Sequence, residues 1–481
     1  MSAKSAVLYR DLHKDPYTIA GASGLYLRLS DGRPIMDGSG GAAVSCIGHG
    51  DERVRQVIAS QVTQLDYCHS LFFSCDPSEN LSRTLIDSTS GNMARVFIVN
   101  SGSEAMDAAL KLARQYYMEL SPPQPQRTRF IARHGSYHGN TLGALGISGH
   151  KSRRSIYEPL LSPNVSHVSV CNAYRGPEEQ ETTEAYVERL ARELDREIQR
   201  VNPATVCAFV AEPVVGAALG CVPSVPGYFK AMKAICDKYG VLLIFDEVMC
   251  GMGRTGTMHA WQQEDVIPDI QTIGKGLGGG YVPIAGLIAG HRVIETLDTG
   301  TGQYIHGQTY QAHPMVCAAA LEVQRIIEEQ DLVNRARDMG RVLETKLKAA
   351  FAAHPQVGNI RGRGLFWALE FVKDRETKES FDPALAVAMT IHNEGILQTP
   401  GIMLYPGTGS ADGRKGDHII IAPPYTITAE EVEMVVVAAQ KAVDSAIKRL
   451  LQSRDKDMPR LNTIFPPVPE APLNRPVLRP S

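Results

Sequence analysis

Two stretches of this chain decide its fold: Thr205-Val-Cys-Ala-Phe-Val-Ala-Glu212-Pro213 and Val241-Leu-Leu-Ile-Phe-Asp246-Glu247. Both are continuous apolar runs, which predicts strands that are buried on both faces of a parallel sheet. Between them, Pro226 begins a predicted amphipathic helix that ends at Gly240. Strand, helix and strand in this order predict a βαβ crossover. The acidic residues then lie at the carboxyl ends of the strands, where open α/β sheets bind ligands.

Size and composition indicate a two-domain globular enzyme. The chain has 481 residues, and single cores stop growing at about 250 to 300 residues. A net charge of −3 gives no electrostatic indication of nucleic acid or an anionic membrane as a partner. The sequence shows no basic-then-apolar leader and no run of about 18 apolar residues. We therefore expect a cytoplasmic protein that binds neither nucleic acid nor membrane.

The nine cysteines argue against disulfides and zinc sites. They occupy positions 46, 68, 75, 171, 207, 221, 236, 250 and 317, and the closest pair is seven residues apart. Because no C-x-x-C motif occurs, we expect no metal, and most of these thiols are predicted to be small buried apolar groups.

A second strand–turn–helix unit precedes these runs. The run Arg95-Val-Phe-Ile-Val-Asn100 predicts a strand, and residues 105–120 have helical apolar spacing. Ser101 and Glu104 have the spacing of a capping box, which places the start of the helix at this turn. A helix start offers unbonded amides and the positive end of the helix dipole, which suits a phosphate. An ordinary capped helix explains the same pattern.

A glycine-rich loop, Asp269-Ile-Gln-Thr-Ile-Gly-Lys275-Gly-Leu-Gly-Gly-Gly280, carries a single lysine. It is not a Walker loop, because Gly276 follows the lysine where Ser or Thr is needed, and the dinucleotide fingerprint also fails. A surface turn with a solvated lysine is one interpretation. The other is a lysine that traps the aldehyde of pyridoxal phosphate as a Schiff base.

Domain organisation follows from a change of pattern along the chain. Residues 71–325 form the predicted large, cofactor-binding domain, and residues 326–454 a smaller α+β domain. Residues 8–45 are Gly-rich and strand-like, and the N-terminal segment, residues 1–70, is therefore expected to pack with the small domain. Residues 455–481 form a Pro-rich tail without apolar periodicity. The small domain's predicted helices are 331–353, 384–393 and 429–449, and its predicted strands are 364–371 and 418–422.

The chain resembles the class III aminotransferases, which are pyridoxal-phosphate enzymes of fold type I. The likeness covers about residues 20 to 450 and depends on several motifs in one order: Ser101-Gly102-Ser103-Glu104-Ala105, Tyr137-His138-Gly139, Glu212-Pro213, Phe245-Asp246-Glu247-Val248, Gly253-Arg254-Thr255-Gly256, the Lys275 loop and His306-Gly307-Gln308-Thr309-Tyr310. It implies an α/β fold: a large domain with a mostly parallel central sheet, and a smaller α+β domain.

The resemblance implies two catalytic residues. Lys275 would bond to the cofactor aldehyde and then move a proton in the reaction. Asp246 would hold the cofactor's ring nitrogen protonated, because a nearby carboxylate favours the cation. A role of Asp246 as a helix cap or turn residue is the alternative.

Further residues would hold the cofactor ring. Val248 would lie against one face, and Tyr137 would stack on the other unless it is a core residue. Glu212 would join the hydrogen-bond network around the ring. His138 is either part of that network or a core histidine with its bonds satisfied.

The phosphate would be bound at the helix start. The resemblance assigns it to Ser101, Gly102 and Ser103, whose amides are available there. Thr309 would reach the phosphate of a neighbouring subunit, which implies a homodimer.

Departures from the family pattern bear on the substrate. Ala217 stands where enzymes that handle ornithine or 4-aminobutyrate commonly have a Glu that neutralises an arginine. Arg414 lies where amine–pyruvate relatives have a mobile, carboxylate-binding arginine, although a solvated loop arginine is an equal interpretation. Residues 310–314 resemble the ω-amino acid and amine–pyruvate branch, and small residues at 38–44 replace a bulky side chain common in relatives.

These features predict an enzyme that transfers an amino group from an ω-amino acid or primary amine to a keto acid, with pyruvate as the expected acceptor. The intermediate carrier is pyridoxamine phosphate. An aminomutase or a decarboxylase would use the same lysine and cofactor and is the first alternative. A catalytically silent, cofactor-binding scaffold is disfavoured because Lys275 and Asp246 are both present.

Overall fold

The computed structural model describes residues 5–452, so the predicted Pro-rich tail at 455–481 lies outside the described residues. The strands are β1 (Ile19–Ser23), β2 (Tyr26–Leu29), β3 (Pro34–Asp37), β4 (Met93–Val99), β5 (Arg129–Arg133), β6 (Val165–Val168), β7 (Val206–Ala211), β8 (Val214–Val215), β9 (Val222–Pro223), β10 (Leu242–Asp246), β11 (Ile270–Ile273), β12 (Ala285–Gly290), β13 (Val357–Arg363), β14 (Phe366–Phe371), β15 (Gly401–Met403), β16 (Tyr405–Thr408) and β17 (Asp417–Ile421). The helices are α1 (Gly40–Ala43), α2 (Glu52–Gln64), α3 (Asp76–Asp87), α4 (Gly102–Glu119), α5 (Leu142–Ile147), α6 (Lys151–Arg154), α7 (Thr183–Arg200), α8 (Tyr228–Tyr239), α9 (His291–Thr299), α10 (Pro314–Glu329), α11 (Leu332–Phe351), α12 (Val387–Leu397) and α13 (Ala429–Gln452).

A seven-stranded sheet forms the centre of the molecule, in the order β4-β12-β11-β10-β7-β5-β6. Strand β12 runs antiparallel to both of its neighbours, and the other pairs are parallel. This confirms the predicted α/β class with a mostly parallel central sheet. Because β12 is antiparallel to both β4 and β11, these two strands run in the same direction. The carboxyl ends of all the strands except β12 therefore lie at the same edge of the sheet: β4, β11, β10, β7, β5 and β6.

The predicted βαβ unit is present as β7, α8 and β10. The two strands pair in parallel, and every residue of both is buried. Helix α8 ends at Gly240, whose φ of +62° lies in the left-handed region that glycine adopts at low cost. Alternate residues of β10 face two different cores: Leu242 and Ile244 pack with α4, whereas Leu243 and Phe245 pack with α7 and α8.

The N-terminal strands share a sheet with the C-terminal part of the chain. Strands β1, β2 and β3 form an antiparallel meander, and β3 pairs in parallel with β15. A separate antiparallel sheet has the order β13-β14-β17-β16, and α11, α12 and α13 contribute to the same core. The domain boundaries at residues 70, 325 and 454 stay predictions.

All nine cysteines lie within residues 5–452. Each cysteine is a free thiol, and only Cys68 and Cys75 are partly exposed. Within this range no three His, Cys, Asp or Glu side chains are grouped as metal ligands, and no helix is both long and apolar enough to cross a bilayer.

Candidate active site

The candidate site lies where three adjacent strands end. Glu212 directly follows β7, Asp246 is the last residue of β10, and Lys275 comes two residues after β11. Because these strands are parallel neighbours, their carboxyl ends bring the three side chains to one edge of the sheet, where such sheets bind ligands.

Asp246 is buried and held by three hydrogen bonds. Its Oδ2 accepts from Nδ1 of His138 at 2.8 Å, and its Oδ1 accepts from Oγ1 of Thr272 and from the amide of Val248, both at 3.1 Å. A buried carboxylate needs such donors, because burial without them is costly. His138 thus bonds to the candidate carboxylate, and its membership of a network around a cofactor ring stays a prediction.

Lys275 begins a single 3₁₀ turn with a backbone φ of +45°. A non-glycine residue in the left-handed region stores strain, and such strain is concentrated at functional sites. Burial lowers the pKa of the Lys275 amine, while the carboxylates of Asp246 and Glu212 oppose this effect and the nearby Arg153 adds to it. A lowered pKa increases the fraction of neutral amine, which is the nucleophilic form.

The side chain of Val248 lies close to two glycines from distant parts of the chain. A Cβ placed on Gly102 would stand 2.7 Å from Cγ1 of Val248, and one on Gly274 would stand 3.2 Å from the same atom. The start of α4 and the backbone before Lys275 therefore approach one side chain as closely as van der Waals radii allow. This close approach explains why both positions are glycine.

The start of α4 has the features of an anion site. The Oγ of Ser101 accepts from the amide of Glu104 at 3.3 Å, which confirms the predicted cap. The Oγ of Ser103 donates to Oδ1 of Asn140 at 2.9 Å and accepts from the Asn140 amide at 3.0 Å. The first amides of a helix, here those of Gly102 and Ser103, have no intrahelical acceptor and lie at the positive end of the dipole.

Glu212 positions the backbone that carries Tyr137. Its Oε1 accepts from the Tyr137 amide at 3.2 Å, and its Oε2 accepts from the amide of Gly216 at 3.0 Å. Burial raises the pKa of Glu212, and the positive field of His138 opposes that rise. Both carboxylate oxygens are thus used to hold main chain rather than to face solvent.

These groups fit pyridoxal phosphate. Lys275 supplies an amine for the aldehyde, Asp246 a carboxylate for the ring nitrogen, and the turn at 101–103 supplies amides for the phosphate. The Nε2 atom of His138 is buried and has no hydrogen-bond partner among residues 5–452, so the polar network is not complete within the chain itself.

Two predicted site residues, Thr309 and Arg414, are exposed. Thr309 is exposed, and its carbonyl accepts from the hydroxyl of Tyr67 at 3.0 Å. Arg414 is exposed on the loop between β16 and β17, where its amide donates to Oδ1 of Asp412 at 2.8 Å. Both side chains are thus exposed, whereas Asp246 and Glu212 are buried.

Segment 38–44 borders the lysine turn. It contains α1, which packs against the 3₁₀ turn of Lys275. A Cβ on Gly40 would stand 3.0 Å from the carbonyl oxygen of Ala422, and Cys46 donates from Sγ to the Gly276 carbonyl at 3.3 Å. The small side chains predicted to enlarge the pocket thus lie beside the candidate nucleophile.

Sequence reasoning missed three residues of this region. Thr272 and Asn140 bond to predicted site residues, and Arg153 lies with its guanidinium carbon 4.3 Å from the centroid of the Tyr137 ring. Thr272 lies on the buried strand β11, just before the turn of Lys275. A polar side chain on a buried strand is unusual, so it could have indicated a site residue from the sequence. No local pattern distinguishes Arg153 from the adjacent cations.

Comparisons with known proteins find relatives over most of the chain. A family profile described as aminotransferase class-III matches residues 9–443. An aminotransferase of Gibberella zeae is 51% identical over 92% of this chain and 86% of its own length. The diaminobutyrate–2-oxoglutarate transaminase of Halomonas elongata is 35% identical over 90% of this chain and 91% of its length. The ω-transaminase of Pseudomonas jessenii, solved in complex with PMP, is 32% identical with a TM-score of 0.84, covering 90% of this chain and 94% of that one.

Proposed function

The chain belongs to the class III aminotransferases, pyridoxal-phosphate enzymes of fold type I, and from that premise we propose that its amino donor is an ω-amino acid or a primary amine and its acceptor is pyruvate. The observation that carries this choice is the row of small residues at 38–44 beside the Lys275 turn, where a Cβ on Gly41 would meet no atom within 4 Å, and we propose that this space admits an extended donor. Ala217 adds support, because an alanine cannot neutralise a carboxylate-binding arginine as an acidic residue would.

Lys275 and Asp246 are the proposed catalytic residues. When bound, the cofactor supplies a carbonyl for the amino group and a ring that accepts electrons. The Nζ atom of Lys275 removes and returns the proton at the substrate carbon, for which its lowered pKa is suited. Asp246, fixed by His138 and Thr272, would keep the ring nitrogen of the bound cofactor protonated.

The remaining cofactor contacts have binding and orienting roles. Val248 and Tyr137 are proposed to enclose the ring, and the turn Ser101 to Ser103 is proposed to bind the phosphate. Glu212 keeps the Tyr137 backbone in place through its hydrogen bond to that amide. These residues restrict the ring's motion, so that the proton transfer occurs at one carbon.

We also propose a homodimer in which Thr309 reaches the partner's phosphate. The support is a group of exposed apolar side chains, of which Leu71 lines the same surface cleft as Thr309: Leu71, Phe72 and Phe73 are 66–74% exposed, and Tyr310 is 59% exposed. Exposed apolar surface of this kind is typical of an interface between chains.

A cytoplasmic location is proposed on composition alone, and cell fractionation would test it.

A donor-by-acceptor screen tests the substrate proposal. The holoenzyme is mixed with ω-amino acids, primary amines and ornithine, each with pyruvate or 2-oxoglutarate, and the new amino acid is quantified. We expect alanine to form fastest, from an ω-amino acid or amine. Preference for ornithine with 2-oxoglutarate would contradict the proposal, and release of carbon dioxide or an isomeric amino acid would indicate a decarboxylase or a mutase.

Arg414 is the proposed outer contact for a substrate carboxylate. A guanidinium binds a carboxylate through two parallel hydrogen bonds, and an exposed loop can move it toward or away from the site. The loop is near the site's rim, because the carbonyl of Gly413 accepts from Oγ of Ser152 on α6 at 3.3 Å. The Arg414→Ala variant belongs in the same screen.

A further inference from the structure

Helix α6 carries an arginine directly against the proposed cofactor-stacking residue. The guanidinium carbon of Arg153 lies 4.3 Å from the centroid of the Tyr137 ring, which is the distance of a cation–π contact. Arg153 is partly buried, so water screens its charge less than it screens that of a surface side chain.

The charge of Arg153 acts at the catalytic centre. It lowers the pKa of the Lys275 amine, and it also lowers the pKa of the buried imidazoles of His150 and His418, although burial is the larger cause in all three cases. Arg153 thus contacts Tyr137 and influences Lys275, and its helix also contacts the loop that carries Arg414, through Ser152 and the Gly413 carbonyl.

The neighbours of Arg153 on α6 have other tasks. One guanidinium nitrogen of Arg154 donates to the carbonyls of Gly146 and Ser148, both at 2.6 Å, which fixes the helix. The exposed Lys151 packs its methylene groups about Gly413, where a Cβ would meet them at 3.1 Å. Of these cations, Arg153 is the one whose guanidinium lies against the Tyr137 ring.

We propose that Arg153 binds the carboxylate of an ω-amino acid donor or of the keto acid, so that it selects substrates bearing a carboxylate. A guanidinium stacked on an aromatic ring still presents its N–H groups in its own plane, where a carboxylate accepts two of them. Arg153 would be the inner contact and Arg414 the outer one. This inference rests on the proposed substrate class.

The test compares two donors that differ by one carboxylate, 5-aminopentanoate and pentylamine. Each is mixed with the holoenzyme without acceptor, and the single-turnover conversion of the cofactor is followed by its absorbance. In Arg153→Gln, the second-order rate constant of this half-reaction for 5-aminopentanoate should fall by about 10- to 100-fold, the usual range for one charge-assisted contact, and that for pentylamine by less than about threefold. Arg153→Lys should lie between wild type and Arg153→Gln.

Lys151→Gln is the matched control and should leave both donors unchanged. A second readout is independent of turnover: calorimetry of pentanoate, which has a carboxylate but no amine, should show weaker binding to the Arg153→Gln holoenzyme. Equal losses for both donors, or unchanged pentanoate binding, would overturn the role of Arg153. If the wild type uses neither donor, the proposed substrate class fails, and the pentanoate titration alone still decides whether Arg153 binds carboxylates.

Discussion

Three hydrogen bonds hold the carboxylate of Asp246: two come from the buried side chains of His138 and Thr272, and one comes from the amide of Val248. Substitutions can therefore separate the effect of the position of this carboxylate from the effect of its charge. Replacing the carboxylate by an amide keeps the shape but removes the negative charge, whereas removing one donor keeps the charge and loosens the geometry.

Asp246→Asn should reduce the single-turnover rate of the holoenzyme by orders of magnitude with little change in thermal stability, because the ring nitrogen loses the charge that keeps it protonated. Thr272→Val is the control: it removes the hydroxyl that donates to Oδ1, and the expected loss is about fivefold, the worth of one hydrogen bond. A wild-type rate in Asp246→Asn would mean that the ring nitrogen lies elsewhere.

Lys275→Ala should abolish the covalent attachment of the cofactor that borohydride makes permanent, since it removes the amine that forms the link. Mass spectrometry of the reduced protein measures this directly. Turnover should fall by orders of magnitude while phosphate and ring contacts still hold the cofactor. Normal activity in this variant would remove the mechanism altogether.

The positions of single residues were predictable where the residue lies at the end of a strand. Asp246, Glu212 and Lys275 each follow a buried apolar run, and parallel strands bring such positions together. Arg153 was not predictable, because its meaning depends on contact with the Tyr137 ring, and the chain between them makes a turn and a helix whose relative placement no local pattern determines.

Among secondary-structure elements, the ends of helices were the least predictable. The capping residue Ser101 was predicted correctly, but the Glu104 carboxylate accepts from the amide of Asn100 at 2.9 Å instead of from that of Ser101. Helix α12 begins at Val387 and not at residue 384, because a 3₁₀ turn at Pro383–Leu385 is followed by Ala386 with a φ of +45°. Apolar periodicity does not reveal such a break.

The contact between α4 and the segment after β10 gives a prediction at the level of elements. Gly102→Ala should raise the dissociation constant of the cofactor by about tenfold or more, because its methyl group would displace Val248, and overpacking costs about 1–3 kcal/mol. Equilibrium dialysis measures this constant. Adding Val248→Ala to Gly102→Ala should restore part of the affinity beyond that of Val248→Ala alone. No effect of Gly102→Ala would show that this approach is looser than 2.7 Å.

At the scale of the whole molecule, long-range contacts connect the sheets. Strand β3 pairs with β15, although more than 360 residues separate them, and sequence patterns carry no information about such a register. Arg254 donates to the carbonyls of Leu365 and Pro423 and lies 4.5 Å from the ring centroid of Tyr425. One buried guanidinium therefore ties the central part of the chain to its C-terminal part, a role that its motif did not reveal.

The exposed position of Thr309 gives the prediction that tests the assembly. If each Thr309 completes the partner's site, a subunit with Lys275→Ala still donates an intact Thr309, and a subunit with Thr309→Asp still has an intact lysine. Each homodimer should be inactive, the second because a carboxylate would repel the phosphate. When the two proteins are unfolded, mixed and refolded together with cofactor, half of the dimers are mixed and one site in each is intact, so about one quarter of wild-type activity should return. The control is separate refolding of each variant. Absence of any recovery in the mixture, with dimers confirmed by sedimentation, would show that Thr309 does not serve the neighbouring subunit.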